Sequence, residues 1–288
     1  MPDIGHILFP VDLSDACRSF ASVVRSVACR AGARVTLLNV LQLPPNYYSD
    51  PRSFSGLVDV RTLLREQGAV FSRFLKAELA DLPDVHRVFR HGDPAAMIVD
   101  YAAQQDVDLI MMPTQGTGIF RRLLIGSVTA KVLHDAETPV WTAPHAPGPR
   151  PHPERYSKIL CAVDLSDASL AIMRQGQRLA ELFGAQLRFL HVIPSTEAFA
   201  VNYFDAQFVA ALAEQARDRF AELAKQTGTC GSAVIRSGEL AHAVRQEALD
   251  SEADLIVIGR GVLKQTLGRL RTQAYAIIRE SPCAVVSV

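Results

Sequence analysis

Residues 6–16 read HILFPVDLSDA, and residues 158–168 read KILCAVDLSDA. Eight of these eleven positions are identical, at an offset of 152 residues. The same offset pairs Leu38-Asn39-Val40 with Leu190-His191-Val192. Further along, Asp108-Leu109-Ile110 pairs with Asp254-Leu255-Ile256 at an offset of 146, and Pro139-Val140 with Pro282-Cys283 at 143. Self-similarity on this scale means that one domain type occurs twice. The second copy is six residues shorter before its fourth strand and three shorter after it. The domains are expected at 1–146 and 155–288. Residues 144–153 between them hold five prolines; proline fixes φ and removes backbone donors, so this stretch reads as an extended linker.

Within each copy, short apolar runs alternate with longer helical patterns. The first copy predicts strands at 6–11, 34–41, 86–90, 109–113 and 140–143, and helices at 15–31, 57–79, 94–104 and 127–135. Ser14 is placed to cap the first helix, and Asp93-Pro94 supplies a cap and a proline at the first helical position of the third. The second copy predicts strands at 158–163, 186–192, 233–237, 255–259 and 284–288. Strands that alternate with helices of ten or more residues make βαβ units and a parallel sheet covered on both faces. Continuous apolar runs such as Leu109-Ile110-Met111-Met112 fit, because such strands are buried on both sides.

Composition agrees with two globular domains and narrows the function. The 288 residues are 49% hydrophobic and 21% charged, enough for two cores. Lys plus Arg and Asp plus Glu are 30 each, and residues 1–146 hold 14 basic and 15 acidic side chains. No basic excess marks a nucleic-acid binder. No apolar run approaches the roughly 18 residues of a membrane span. Met1-Pro2-Asp3-Ile4 lacks the basic and apolar regions of a signal peptide, so a cytoplasmic location is the expectation. The five cysteines, Cys17, Cys29, Cys161, Cys230 and Cys283, form no CxxC pair; they read as reduced, mostly buried thiols. The eight histidines show no metal-ligand spacing.

In an open parallel sheet, ligands bind beyond the carboxyl ends of the strands, where the strand order reverses. Asp12 lies just past the first strand. It can cap the turn into the first helix or anchor a ligand hydroxyl or a metal. After the fourth strand comes Pro113-Thr114-Gln115-Gly116-Thr117-Gly118 and, after seven intervening residues, Gly126-Ser127-Val128. Glycine lets backbone N–H groups approach an anion with no Cβ in the way. A helix opening at Gly126-Ser127 presents unpaired N–H groups and the positive end of its dipole to a phosphate. Arg121 and Arg122 on the intervening loop could screen charge. The same residues also fit a Gly-rich turn with Ser127 as an ordinary cap.

The segment MMPTQGTGIFRRLLIGSVTAKVLHDAETPVWT at 111–142 resembles the universal stress protein family. That family's phosphate loop runs G-x2-G-x9-G-[ST]; here Gly116 is followed by nine residues and then Gly126-Ser127. The opening ILFPVDLSD, the Asn39-Val40 strand end and the closing Thr138-Pro139-Val140 are also similar to the family. The resemblance covers nearly all of both copies and implies a tandem member. It implies two Rossmann-like, adenine nucleotide alpha hydrolase-like domains, each a five-stranded parallel sheet in the order 3-2-1-4-5 with helices on both faces. It implies ATP or a related adenine nucleotide, with a divalent metal such as magnesium. Pro10 and Asp12 would flank the adenosine, and the Val40 backbone would read the adenine edge. Pro113, Gly116 and Gly118 would meet the ribose and phosphates, and Gly126, Ser127 and Val128 would hold the phosphates. Pro113 departs from the family, standing where the first motif glycine belongs. The resemblance also suggests an intramolecular pseudo-dimer joined through the two fifth strands, with further homodimerisation open.

The second copy departs further. Ala162 stands for Pro10, although Asp164 and Val192 keep their places. Gly259-Arg260-Gly261 resembles the start of a phosphate loop, but Arg269-Leu270 occupies the Gly126-Ser127 position. Side chains there would obstruct close backbone approach, so this copy reads as degenerate for ATP. Arg260, Lys264, Arg269 and Arg271 make a basic cluster that suits either a solvated helix start or an anion or partner site. The leading function is a nucleotide-binding stress or signalling protein. The alternatives are a slow ATP hydrolase or nucleotidyl transferase, and an interaction module with no bound nucleotide. No GxxxxGK[ST], HxGH or SGGxDS occurs, and no His, Lys or paired carboxylate is visibly poised as a general base beside the loop. No catalytic residue is assigned.

Overall fold

The computed structural model describes residues 4–43, 60–114, 125–143, 155–194, 206–260 and 269–288. The chain divides into two compact units, Met1–Val140 and Trp141–Val288.

In the first unit, β1 (His6–Pro10) is buried along its whole length and forms the middle of the sheet. It pairs in parallel with β2 (Arg34–Leu41), from His6↔Arg34 to Pro10↔Leu38, and on its other side with β4 (Leu109–Met112) at Ile7↔Leu109. β3 (Val85–His91) adds outside β2, and β5 (Val140–Thr142) follows β4, giving the order 3-2-1-4-5. β1 and β4 show no polar alternation because helices cover both faces. The connections are α1 (Asp15–Ala31), α2 (Val60–Arg73), α3 (Pro94–Gln104) and α4 (Ser127–Asp135).

The predicted caps form. Ser14 accepts from the Cys17 N–H, and Gly32 ends α1 in the left-handed region at φ 64. Asp93 accepts from the Ala96 N–H with Pro94 at the first helical position. The buried stripe of α1, including Phe20, Val24 and Val27, lies on the sheet, and Phe20 meets Phe9 edge-on at 6.1 Å between ring centroids.

α2 is shorter than its pattern predicts. It ends at Arg73, and its predicted first residues lie outside the described ones. Leu75 turns into the left-handed region at φ 56, while the Arg87 guanidinium donates to the Phe74 carbonyl at 3.1 Å. Phe74, Leu75 and Leu79 stay buried after the helix ends, so the apolar spacing runs on through turns and hides the stop.

The second unit repeats the plan with β6 (Lys158–Ala162), β7 (Gln186–Pro194), β8 (Ser232–Gly238), β9 (Leu255–Ile258) and β10 (Ala284–Ser287). Its order is β10-β9-β6-β7-β8, the same path as in the first unit. The pairs β6–β7, β6–β9, β7–β8 and β9–β10 are parallel. Its helices are α5 (Ser169–Phe183), α6 (Ala206–Thr227), α7 (Leu240–Asp250) and α8 (Arg269–Glu280). Tyr156 and Phe183 are buried together, with ring centroids 5.1 Å apart. Glu247 is buried in α7 between Arg188 at 2.9 Å and Arg236 at 2.6 Å.

One staple recurs at the amino ends of both sheets. Asp108 accepts the N–H groups of Gly5 and His6, each at 2.9 Å, and Asp254 accepts those of Ser157 and Lys158 at 2.7 and 3.1 Å. This explains the repeated Asp-Leu-Ile: the aspartate fastens the start of the fourth strand to the start of the first.

Candidate functional site

At the carboxyl end of the first sheet, the chain leaves β1 through Val11 and Asp12. The Val11 N–H donates to the Leu38 carbonyl at 2.9 Å, and the Asn39 side chain donates to the Val11 carbonyl at 2.7 Å. These bonds hold the ends of β1 and β2 side by side and so place Pro10, Asp12 and Val40 on one rim. The backbone turns at Leu13, at φ 64. The Asp12 carboxylate is exposed; one oxygen accepts from the Ser14 N–H at 3.1 Å and the Cys17 thiol at 3.2 Å. Cys17 is buried, and that burial, followed by the nearby Asp12 charge, pushes its pKa up to about 12. It therefore stays a neutral thiol that can donate to Asp12.

β4 ends at Met112, beside β1, and Pro113 and Thr114 continue onto the same rim. The Gly126 N–H donates to the Thr114 carbonyl at 2.8 Å, and the buried Thr129 hydroxyl donates to the Pro113 carbonyl at 3.1 Å. These two bonds close the base of the connection and bring the start of α4 to the end of β4. Gly126 is the N-cap residue and no side chain caps the helix. Ser127 is the first helical residue rather than the cap, and it is exposed. The first N–H groups of a helix have no intrahelical partner, and here they open beside two strand ends.

Pro10, Asp12, Val40, Pro113, Gly126, Ser127 and Val128 thus lie at one end of the first sheet. Gly116, Gly118, Arg121 and Arg122 lie outside the described residues. Asn39, Thr129 and Cys17 support the rim, and sequence reading assigns them no role. The sequence signal for Asn39 is that its partner in the repeat, His191, is also polar between apolar neighbours. In the structure His191 Nδ1 lies 3.0 Å from the Val163 carbonyl, the contact that matches Asn39 on Val11. Thr129 and Cys17 look like ordinary helix residues.

In the second unit the same rim carries Asp164, Val192, Gly259 and Arg260. The Arg260 N–H donates to the Val288 carbonyl at 3.0 Å. Gly261 and Lys264 lie outside the described residues, and α8 opens at Arg269. Among the described residues, no three His, Cys, Asp or Glu side chains come together as a metal site, and no helix is long and apolar enough to cross a membrane.

The repeated five-stranded parallel sheet, with a helix start set against its fourth strand end, defines a tandem α/β protein of Rossmann-like design. The chain belongs to the universal stress protein family, whose model matches residues 4–144 and 155–288. A universal stress protein of Thermus aquaticus is 31% identical over 134 residues, covering 46% of this chain and 94% of that protein. One from Methanocaldococcus jannaschii is 30% identical over 135 residues, covering 46% and 78%. The crystal structure of a universal stress protein from Archaeoglobus fulgidus superimposes with a TM-score of 0.68 over 99% of this chain and 96% of that one, at 20% identity.

Proposed function

We propose that the first unit binds ATP or a related adenine nucleotide, and that the chain acts as a cytoplasmic stress-response or signalling protein. The observation that carries this reading is the start of α4. A glycine without a side-chain cap and an exposed serine hydroxyl stand at the end of β4, one strand from the exposed Asp12 carboxylate. A nucleotide combines the chemistries that such a rim can meet. Its phosphates suit the helix N–H groups and Ser127, and its ribose hydroxyls suit a carboxylate acceptor. In this reading Pro10, Asp12 and the Val40 backbone meet the nucleoside, Pro113, Gly116 and Gly118 the ribose and phosphates, and Gly126, Ser127 and Val128 the phosphates. Magnesium would accompany the phosphates rather than sit in a protein cage. Mass spectrometry of small molecules released from the freshly purified, denatured protein tests this reading, followed by calorimetric titration with ATP and magnesium. An adenine nucleotide released near one per chain supports it; neither release nor heat of binding rejects it.

From the repeated sequence alone, we also propose that the two halves form an intramolecular pseudo-dimer. Sedimentation of a 1–146 fragment tests this: self-association is expected, and a soluble monomer would count against it.

A further inference from the structure

Residues 11–16 and 163–168 are both Val-Asp-Leu-Ser-Asp-Ala, yet the two segments make different first helical turns. Both leave their strand in the same way, with Leu13 at φ 64 and Leu165 at φ 63. In the first unit, the Ser14 hydroxyl caps the helix by accepting from the Cys17 N–H at 3.3 Å, and α1 begins at Asp15. In the second unit, the Ser166 hydroxyl instead donates to the Asp164 carboxylate at 2.6 Å. The Ser169 hydroxyl donates to the same oxygen at 2.7 Å; the Ser166 N–H bond to it, at 3.0 Å, is common to both units, since the Ser14 N–H reaches Asp12 at 3.1 Å. Without a side-chain cap, α5 begins only at Ser169, behind N–H bonds that reach back three residues rather than four. Burial works to raise the Asp164 pKa, but these donors outweigh it and hold it below the ordinary carboxylate value.

The first difference after the shared six residues is Cys17 against Ser169, and it faces the carboxylate in both units. A hydroxyl is a strong donor; a thiol is a weak one. We propose that residue 17 is a positioning residue that sets how Asp12 is used. With only a weak thiol and the Ser14 N–H on one of its oxygens, the Asp12 carboxylate keeps room for a hydroxyl donor from outside, and Ser14 stays with the helix. A serine, as at 169, draws the carboxylate and the preceding serine into an internal knot of two hydroxyl donors. On this basis Asp12 serves a ligand and Asp164 serves the fold. The inference rests on the proposed nucleotide site, because it takes that donor to be a ribose hydroxyl.

The test uses the full chain with Cys17→Ser and Cys17→Ala, read by ATP titration and by amide exchange over residues 15–17. Cys17→Ser should weaken ATP binding about two- to tenfold, the range of one neutral hydrogen bond. It should also lose amide protection at Cys17, with an unchanged melting temperature. Cys17→Ala removes the thiol without adding a hydroxyl and should bind within about twofold of wild type. Wild-type affinity in Cys17→Ser overturns the inference and leaves the site reading intact. Equal weakening in both variants also overturns it, since loss of packing would then be the cause. A wild-type chain that binds no ATP rejects the site reading, and this inference with it.

Discussion

At the scale of single residues, the start of α4 makes the sharpest demand. Gly126 is backbone only, where a phosphate would need to come close. Gly126→Val should abolish ATP binding while far-ultraviolet circular dichroism stays native. A folded Gly126→Val chain with wild-type affinity would remove this helix start from the site. Ser127→Ala should cost about 0.5–1.5 kcal/mol of binding for one neutral hydrogen bond. Asp93 has a structural role and a pH signature. The Ala96 N–H, and secondarily Lys131, hold its pKa below the ordinary carboxylate value. Its folded pKa is depressed, so its contribution is full above the unfolded pKa and disappears as pH falls through the folded one. Asp93→Ala should cost about 1 kcal/mol at neutral pH, as loss of an N-cap does. Asp93→Asn should keep most of the cap and flatten the acid side of the stability profile, measured by urea melts from pH 7 to pH 3. An unchanged slope in Asp93→Asn would show that another carboxylate sets the acid limit.

At the scale of elements, helices meet the sheet with little spare room, and Gly176 shows how closely. A Cβ built on this residue of α5 would lie 2.2 Å from the Cys161 sulfur of β6 and 3.4 Å from the Leu187 side chain. Gly→Ala inside a helix normally gains about 1 kcal/mol. Here overpacking should outweigh that gain, for a net loss on the order of 1–2 kcal/mol. Adding Cys161→Ala to Gly176→Ala should recover part of it, because the clashing atom is gone. Denaturant melts of the two single variants and the double variant check this; strict additivity would mean that α5 and β6 do not press on each other there. The repeat, the alternating elements and the caps at Ser14 and Asp93 were legible in the sequence because each depends on spacing or on one local bond. The strand ends that gather at the candidate site were legible for the same reason. The end of α2 was not, since Phe74, Leu75 and Leu79 continue the apolar pattern past Arg73. The two fates of Val-Asp-Leu-Ser-Asp-Ala were not legible either: six identical residues carry no information about the hydroxyl or thiol that follows them.

At the scale of the whole molecule, duplication sets up a comparison that the chain makes with itself. Both units keep the parallel sheet, the left-handed turn after the first strand and the aspartate staple at its start. What the second unit does not keep is the part that would face a phosphate. Arg269 and Leu270 stand where the first unit has Gly126 and Ser127, and Asp164 is already occupied by its own serines. The expected stoichiometry is therefore one ATP per chain. Full-length protein titrated with ATP and magnesium should fit one class of site with n near one. Asp12→Ala should weaken that site with little change in the melting temperature. Asp164→Ala should do the reverse, lowering the melting temperature while leaving n and the affinity unchanged, because it removes an acceptor that three donors of the fold depend on. Two equivalent sites would show that the divergent half binds as well, and loss of ATP binding in Asp164→Ala but not in Asp12→Ala would show that the divergent half is the binding half.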